Sequence, residues 1–108
     1  MIFVKGLGAP ETPRLLPTDK SWLCVEMAPP RNGVTHISRD GTLVEQVAPV
    51  PCPNGLMPDQ DGVIWVANTV DDPSLMRVTM DGSVDVVMDA VEGRAMRLPN
   101  DFAFGPDG

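Results

Sequence analysis

Short apolar segments alternate with turns containing Gly, Pro or Asp along almost the whole chain. Each apolar segment is about five or six residues long and rich in Val, Ile and Trp, and it therefore predicts a β-strand. No window of about 11 residues keeps a helical period of apolar positions, so helices are not expected. The predicted strands form three matching pairs, 22–26 with 64–68, 34–38 with 75–79, and 42–47 with 83–88.

The turns between these segments repeat together with them. Residues 53–62 return as residues 99–108, and both copies begin with Pro-Asn and end with Asp-Gly. A second pair of segments, 35–41 and 76–82, also ends with Asp-Gly. Since Asp-Gly supplies the positive φ that tight hairpin turns need, each of these sites predicts a connection between antiparallel strands.

A weaker copy of the Pro-Asn segment opens the chain, where Glu11 stands at the position of Asn54 and Lys20 at the position of Gly62. One repeat therefore holds four antiparallel strands in about 40 to 45 residues, which is typical of one blade of a β-propeller. The sequence predicts an all-β fold, a partial β-propeller of about two and a half blades. The predicted bounds are about 10–50 for blade 1, about 51–92 for blade 2 and about 93–108 for the start of blade 3.

This number of blades is small, since propellers typically have about four to eight. An open stack of blades would expose sheet edges and apolar faces. We therefore expect residues 1–108 to be the N-terminal part of one longer propeller domain, with the missing C-terminal blades as its partner. Trp22, Trp65, Phe102 and the methionines are expected to pack between blades. A β-sandwich is the alternative, because sandwiches also space their turns roughly every 8–12 residues.

Composition and charge narrow the class of protein further. The 10 Gly and 12 Pro among 108 residues exceed average usage and favour short elements joined by turns. A net charge of −7 disfavours a phosphate backbone as ligand, so nucleic acid is not an expected partner. No apolar run approaches the roughly 20 residues of a membrane span, so a membrane is not expected either, and the expected location is cytoplasmic. Cys24 and Cys52 are expected to be free thiols, and with the single His36 they cannot complete a four-ligand zinc site.

Three motifs follow one another at the spacing of propeller blades. They are Glu11-Thr12-Pro13, then Pro-Asn-Gly-Leu at 53–56 with Asp-Gly at 61–62, then Gly93 with Pro-Asn-Asp at 99–101 and Pro-Asp-Gly at 106–108. In this order they resemble the senescence marker protein/gluconolactonase/luciferin-regenerating enzyme family of six-bladed propellers, and the resemblance covers nearly the whole chain. The chain departs from the family where Thr12 replaces Gly or Ser, where Arg14 replaces an apolar residue and where Lys20 replaces a turn glycine.

The resemblance implies a function for the intact protein, because family members are largely metal-dependent lactone hydrolases. It implies that Glu11 is a ligand of a divalent cation in the central channel, with calcium expected and zinc or manganese as alternatives. It also implies that Asn100 faces the bound lactone and that Asp101 supports the loop. Asn54 occupies the equivalent blade position, where many members have no asparagine. The cation would polarise the lactone carbonyl and activate a bound water. Further ligands are expected in later blades, so residues 1–108 alone are expected to be inactive.

Strand direction places two loops on the same face of the predicted propeller. Because antiparallel strands alternate in direction, the loops that begin at Glu26 and Asn68 are expected to form the rim of the pocket. The residue types also permit simpler roles, with Asn54 and Asn100 as turn residues and Glu11 as an exposed loop carboxylate. For the whole protein the alternatives are a non-catalytic propeller that binds other molecules and a propeller similar to strictosidine synthase.

Overall fold

The computed structural model describes residues 3–108, which form an all-β fold. Two four-stranded antiparallel sheets follow one another along the chain, and in each sheet the strands pair in sequence order. A two-stranded hairpin follows the second sheet. The first sheet contains β1 (Pro10–Leu15), β2 (Trp22–Glu26), β3 (Gly33–Ile37) and β4 (Val44–Pro49); the second contains β5 (Pro53–Pro58), β6 (Ile64–Asn68), β7 (Ser74–Val78) and β8 (Val84–Met88); the hairpin contains β9 (Ala90–Val91) and β10 (Arg94–Ala95).

The all-β prediction is confirmed, and within residues 3–108 no sheet closes on itself. The same residues contain no helix that is long and apolar enough to cross a membrane. The strands predicted at 22–26 and 64–68 are confirmed to the residue.

The fourth strand of the first sheet begins at Val44, two residues later than predicted. The cause is the carboxylate of Asp40, whose Oδ1 accepts hydrogen bonds from Thr42 N at 3.1 Å and Thr42 Oγ1 at 2.7 Å. These bonds hold Thr42 in the turn instead of in the strand. Together with the hydroxyl of Ser38, they lower the pKa of Asp40 to about 2.

The two sheets repeat the same pairing register. Pro10 pairs with Glu26 in the first sheet, and Pro53 pairs with Asn68 in the second. Both first strands carry a bulge near this pair, between Glu11 and Arg14 in β1 and between Pro53 and Gly55 in β5. The turn residue Lys20 has a φ of 63°, close to the 81° of Gly62, as expected for equivalent turns.

The main core lies between the sheets, where β5 packs against β1 and β2. Because successive side chains of a strand point to opposite faces, Leu23 and Val25 of β2 lie on one face of the first sheet. This face shares a core with Ile64 and Val66 of β6. The buried residues of this core are Leu16, Leu23, Val25, Val34, Ala48, Val50, Leu56, Ile64, Val66, Met76 and Val78.

The two sheets stack head to tail. The face of the first sheet that carries Leu23 and Val25 packs on the face of the second sheet that carries Ile64 and Val66, and these two faces are not equivalent in the repeat. The positions in the first sheet that correspond to Ile64 and Val66 are Trp22 and Cys24, and by strand alternation they lie on the face turned away from the second sheet. Trp22 is therefore 36% exposed, and its expected place in a core between blades stays a prediction, because no second sheet within residues 3–108 packs on its face. Trp65, on the outer face of the second sheet, instead packs edge to face on Phe104.

Of residues 93–108, expected to begin a third blade, only Arg94 and Ala95 lie in a strand, β10, whereas residues 97–108 form none. They nevertheless lie against the second sheet. The hydroxyl of Thr69 donates a hydrogen bond to the carbonyl of Pro99 at 2.8 Å, and Phe104 contacts Trp65 with ring centroids 6.4 Å apart. A strand needs a partner for its backbone groups, and the described residues hold no further strand beside this segment.

Both cysteines are free, as predicted, but their surroundings differ. Burial, together with the nearby Glu26 carboxylate, raises the pKa of Cys24 to about 11, whereas Cys52 is only half-buried. Since the thiolate is the reactive form, we expect a disulfide reagent such as DTNB to modify Cys52 in the native protein and Cys24 only after unfolding. A fast native-state reaction that persists in Cys52→Ser would contradict this assignment.

Candidate functional site

Glu11 lies at the start of β1 on the exposed edge of a cavity of about 500 Å³. Most of the lining is apolar and includes Trp22, Cys24 and Ile37 from the outer face of the first sheet. Glu11 is the only charged residue among the lining residues. A single carboxylate beside an apolar wall can hold a cation, but it cannot complete the oxygen shell of one.

The first strands of the two sheets are joined by a hydrogen bond from a side chain to a backbone carbonyl. The hydroxyl of Thr12 donates a hydrogen bond to the carbonyl of Asn54 at 2.8 Å. Thr12 directly follows Glu11, so Glu11 and Asn54 occupy equivalent positions on neighbouring strands. The sequence repeat predicted this equivalence. The register agrees at the preceding residues, Pro10 and Pro53, but Glu11 pairs with Val25 whereas Asn54 lies in the bulge of β5.

A corresponding contact joins the second sheet to the Pro-Asn-Asp segment. A Cβ atom on Gly55 would overlap the carbonyl oxygen of Asn100 and would lie 3.0 Å from the Cα atom of Asp101. The absence of a side chain at Gly55 therefore lets this segment lie directly on β5. Gly55 is equivalent to Thr12, so the backbones of Glu11, Asn54 and Asn100 stand in one row across three successive segments.

The side chains of this row have different surroundings. Glu11 and Asn100 are exposed, and Asn54 is half-buried. The carboxylate of Asp101 is exposed and accepts a hydrogen bond from Phe102 N at 2.9 Å, a contact within its own loop.

The side chains of the row carry one carboxylate and two amide oxygens, and of the three residues only Glu11 lines the cavity beside β1. Hard cations such as calcium prefer these ligands, whereas zinc is usually held by sulfur and imidazole. The only imidazole, His36, is engaged elsewhere, with Nε2 at 2.7 Å from the hydroxyl of Ser21 and Nδ1 at 3.4 Å from Glu45. Among residues 3–108, no three His, Cys, Asp or Glu side chains are grouped as metal ligands. The oxygen donors therefore fit calcium or manganese better than zinc.

Glu26, predicted at the pocket rim, is completely buried at the end of β2. Its carboxylate accepts two hydrogen bonds from Arg31, with Nε at 2.8 Å from Oε1 and Nη2 at 2.9 Å from Oε2. It also accepts hydrogen bonds from the hydroxyl of Thr35 and from Gly8 N, the latter at 2.7 Å. Burial opposes ionisation, but these hydrogen bonds outweigh it, so the pKa of Glu26 lies below its ordinary value.

Asn68, the other predicted rim residue, is buried in the same way at the end of β6. Its Oδ1 accepts a hydrogen bond from Cys52 N at 2.9 Å. Its Nδ2 lies 3.0–3.1 Å from the carbonyl oxygens of Val70, Asp71 and Asp72. The two side chains therefore bind the chain around the ends of β2 and β6 from the interior and are not exposed themselves.

Arg31 and Thr35, the partners of Glu26, did not emerge from the sequence. The available signal was a carboxylate at the end of an otherwise apolar strand, because a buried charge requires a partner. The first Arg along the chain after Glu26 is Arg31, and it is that partner.

Neither a protein-family model nor a curated protein matches this sequence.

Proposed function

We propose that residues 1–108 belong to a metal-dependent lactone hydrolase built as a six-bladed β-propeller of the senescence marker protein/gluconolactonase/luciferin-regenerating enzyme type. The observation that supports the proposal best is the row of Glu11, Asn54 and Asn100. These residues occupy equivalent positions in the sequence repeat. The hydroxyl of Thr12 bonds to the backbone of Asn54, and Gly55 lets the backbone of Asn100 lie directly on β5.

The stacking of the sheets supports the propeller part of this proposal. When sheets pack head to tail, each sheet can use one face for the sheet before it and the other face for the sheet after it. A ring forms if the rotation from each sheet to the next adds up to a full circle. In this arrangement each sheet supplies the start of its first strand to the central axis. The sheets of residues 10–49 and 53–88 are blades 1 and 2, residues 97–108 begin blade 3, and the remaining blades supply the other ligands.

Each residue of the row has a different role, which follows from the chemistry of its side chain. Glu11 holds the cation through its carboxylate, and Asn54 contributes an amide oxygen. Asn100 can orient the substrate, because its amide nitrogen donates a hydrogen bond while its oxygen remains an acceptor. When bound, the cation supplies polarisation of the lactone carbonyl and a water of lowered pKa. The group that accepts a proton from this water is expected in the other blades.

One observation favours a second candidate, a propeller that binds cations or ligands without catalysis. Glu11 is the only carboxylate of the row, and the carboxylate of Asp101, next to Asn100, accepts a hydrogen bond within its own loop. Ligands and bases supplied by the other blades distinguish the two candidates.

Terbium binding tests the site, because Tb³⁺ substitutes for Ca²⁺ and its luminescence is excited by a nearby tryptophan. Trp22 and Glu11 line the same cavity, so bound Tb³⁺ is expected to give a sensitised signal that Ca²⁺ displaces. Glu11→Gln is expected to weaken Tb³⁺ binding about tenfold or more, since it removes the one charged ligand of the row. Glu92→Gln, in the exposed β9–β10 turn, is the matched control. Equal affinities of wild type and Glu11→Gln would overturn the site.

A further inference from the structure

The two sheets carry the same kind of buried polar residue at the same place. Glu26 ends β2 and Asn68 ends β6, both are 0% exposed, and they pair with the equivalent residues Pro10 and Pro53. Buried polar side chains need hydrogen-bond partners, and the choice of partners shows what such a side chain holds in place. We call Glu26 and Asn68 the strand-end anchors.

The first anchor binds the segment that leads into Glu11. Glu26 Oε1 accepts the hydrogen bond from Gly8 N at 2.7 Å. The backbone of the loop after β2 completes the contact, because Ala28 N donates to Gly8 O at 3.1 Å and Met27 N donates to Ala9 O at 3.1 Å. The chain is thereby fixed just before β1 begins and three residues before Glu11.

The second anchor binds the equivalent segment in front of Asn54. Asn68 Oδ1 accepts the hydrogen bond from Cys52 N at 2.9 Å, and Thr69 N donates to Cys52 O at 2.9 Å. The neighbouring Thr69 hydroxyl reaches the carbonyl of Pro99 at 2.8 Å, directly before Asn100. The end of β6 therefore holds the backbone in front of both asparagines of the row.

The anchors use different chemistry for the same contact. Glu26 is a carboxylate neutralised by Arg31, whereas Asn68 is a neutral amide that binds three loop carbonyls. Both accept a hydrogen bond from the backbone N–H that precedes a candidate ligand, so their common role is to set the position of that ligand. Ligands must be held within about 0.5 Å of the productive geometry, and residues behind them supply that precision.

We propose that Glu26 and Asn68 are positioning residues that fix Glu11 and Asn54 for cation binding through Gly8 and Cys52. This inference rests on the proposed function, because it assumes that the row binds a cation. It assigns the strand-end anchors no contact with the cation or with the lactone.

The test compares Asn68→Ala with Ser74→Ala in the full chain. Ser74 begins β7 after the same loop, is buried, and donates to Asp72 O at 2.9 Å, but it is not bonded to Cys52, so it is a matched control for loss of a hydrogen bond to the loop. We expect Asn68→Ala to weaken Tb³⁺ binding about tenfold or more, by the usual effect of outer-shell residues, and Ser74→Ala to leave it unchanged. Equal affinities of Asn68→Ala and wild type, or equal losses in both variants, would overturn the proposal.

Glu26 provides a second comparison with a conservative rescue. Glu26→Gln keeps an oxygen acceptor for Gly8 N, whereas Glu26→Ala removes it. We expect Glu26→Gln to retain more Tb³⁺ affinity than Glu26→Ala. The reverse order would contradict positioning through Gly8.

Amide hydrogen exchange separates this proposal from the proposed function. We expect Asn68→Ala to accelerate exchange at the Cys52 amide about tenfold or more relative to Ser74→Ala, because the amide loses its acceptor. If wild type binds no Tb³⁺, the proposed function fails, and the exchange at Cys52 still decides whether the anchor holds the backbone. Unchanged exchange at Cys52 would overturn the anchor itself.

Discussion

Replacement of Gly33 by Ala is expected to lower the free energy of unfolding by about 3 kcal/mol or more. Gly33 begins β3 with a φ of 156°, which side chains rarely adopt, and a Cβ atom there would overlap the carbonyl oxygen of Ala48. Relief of this overlap requires β3 and β4 to separate where Gly33 pairs with Pro49. Urea denaturation followed by tryptophan fluorescence measures the loss.

Gly93→Ala is the control for this prediction. Gly93 also has a positive φ, 75°, but no atom lies within 4 Å of the position of its Cβ. We expect a loss of about 1 kcal/mol from the backbone conformation alone. A Gly33→Ala protein as stable as Gly93→Ala would show that β3 and β4 tolerate a side chain between them.

Replacement of Arg31 by Met is expected to lower the melting temperature by roughly 10 °C at about pH 7. The substitution leaves the Glu26 carboxylate buried without its bidentate partner, and a buried charge without a partner strongly destabilises a fold. The exposed pair of Arg77 and Asp85 supplies the matched control. Arg77→Met is expected to change the melting temperature by only about 1–2 °C, because exposed ion pairs contribute little.

The pH dependence of this effect identifies its cause. In wild type the pKa of Glu26 is lowered, so its contribution to stability is present above its ordinary pKa and is lost as the pH falls through the lowered value. Without Arg31, the carboxylate loses the hydrogen bonds and the positive charge that oppose its burial, so the variant draws less stability from the ionised form of Glu26. The difference in melting temperature between wild type and Arg31→Met is therefore expected to shrink as the pH falls from about 7 to below the ordinary pKa of a glutamate, about 4.3. A constant difference would mean that Glu26 is not the group affected.

The sequence predicted the strands most accurately where local signals agree. The strands at 22–26 and 64–68 combine β-branched or aromatic residues with turn residues on both sides, and their bounds are confirmed. The strand predicted at 42–47 begins late because a side chain competes for the backbone, with Asp40 holding Thr42 in the turn. The first and last residues of a strand depend on single hydrogen bonds of this kind, which the strand propensity of a segment does not describe.

The candidate site was predicted as a pattern of equivalent positions. The repeat identified Glu11, Asn54 and Asn100 as equivalents, and the contacts at Thr12 and Gly55 bring their backbones together. The burial of Glu26 and Asn68 was not predicted, because a polar residue at the end of a strand can face either solvent or the interior. Cation binding and lactone hydrolysis stay predictions.

By itself the sequence determined the all-β class, the order of strands and turns, and the repeat, because alternation of side chains and turn chemistry are local properties of the chain. Only the tertiary structure decided which groups meet across long separations in the sequence, such as Thr12 with the carbonyl of Asn54. It also decided the head-to-tail stacking that leaves Trp22 exposed. The physical reason is that burial and hydrogen-bond partners depend on what packs opposite each face, and no local segment contains that information.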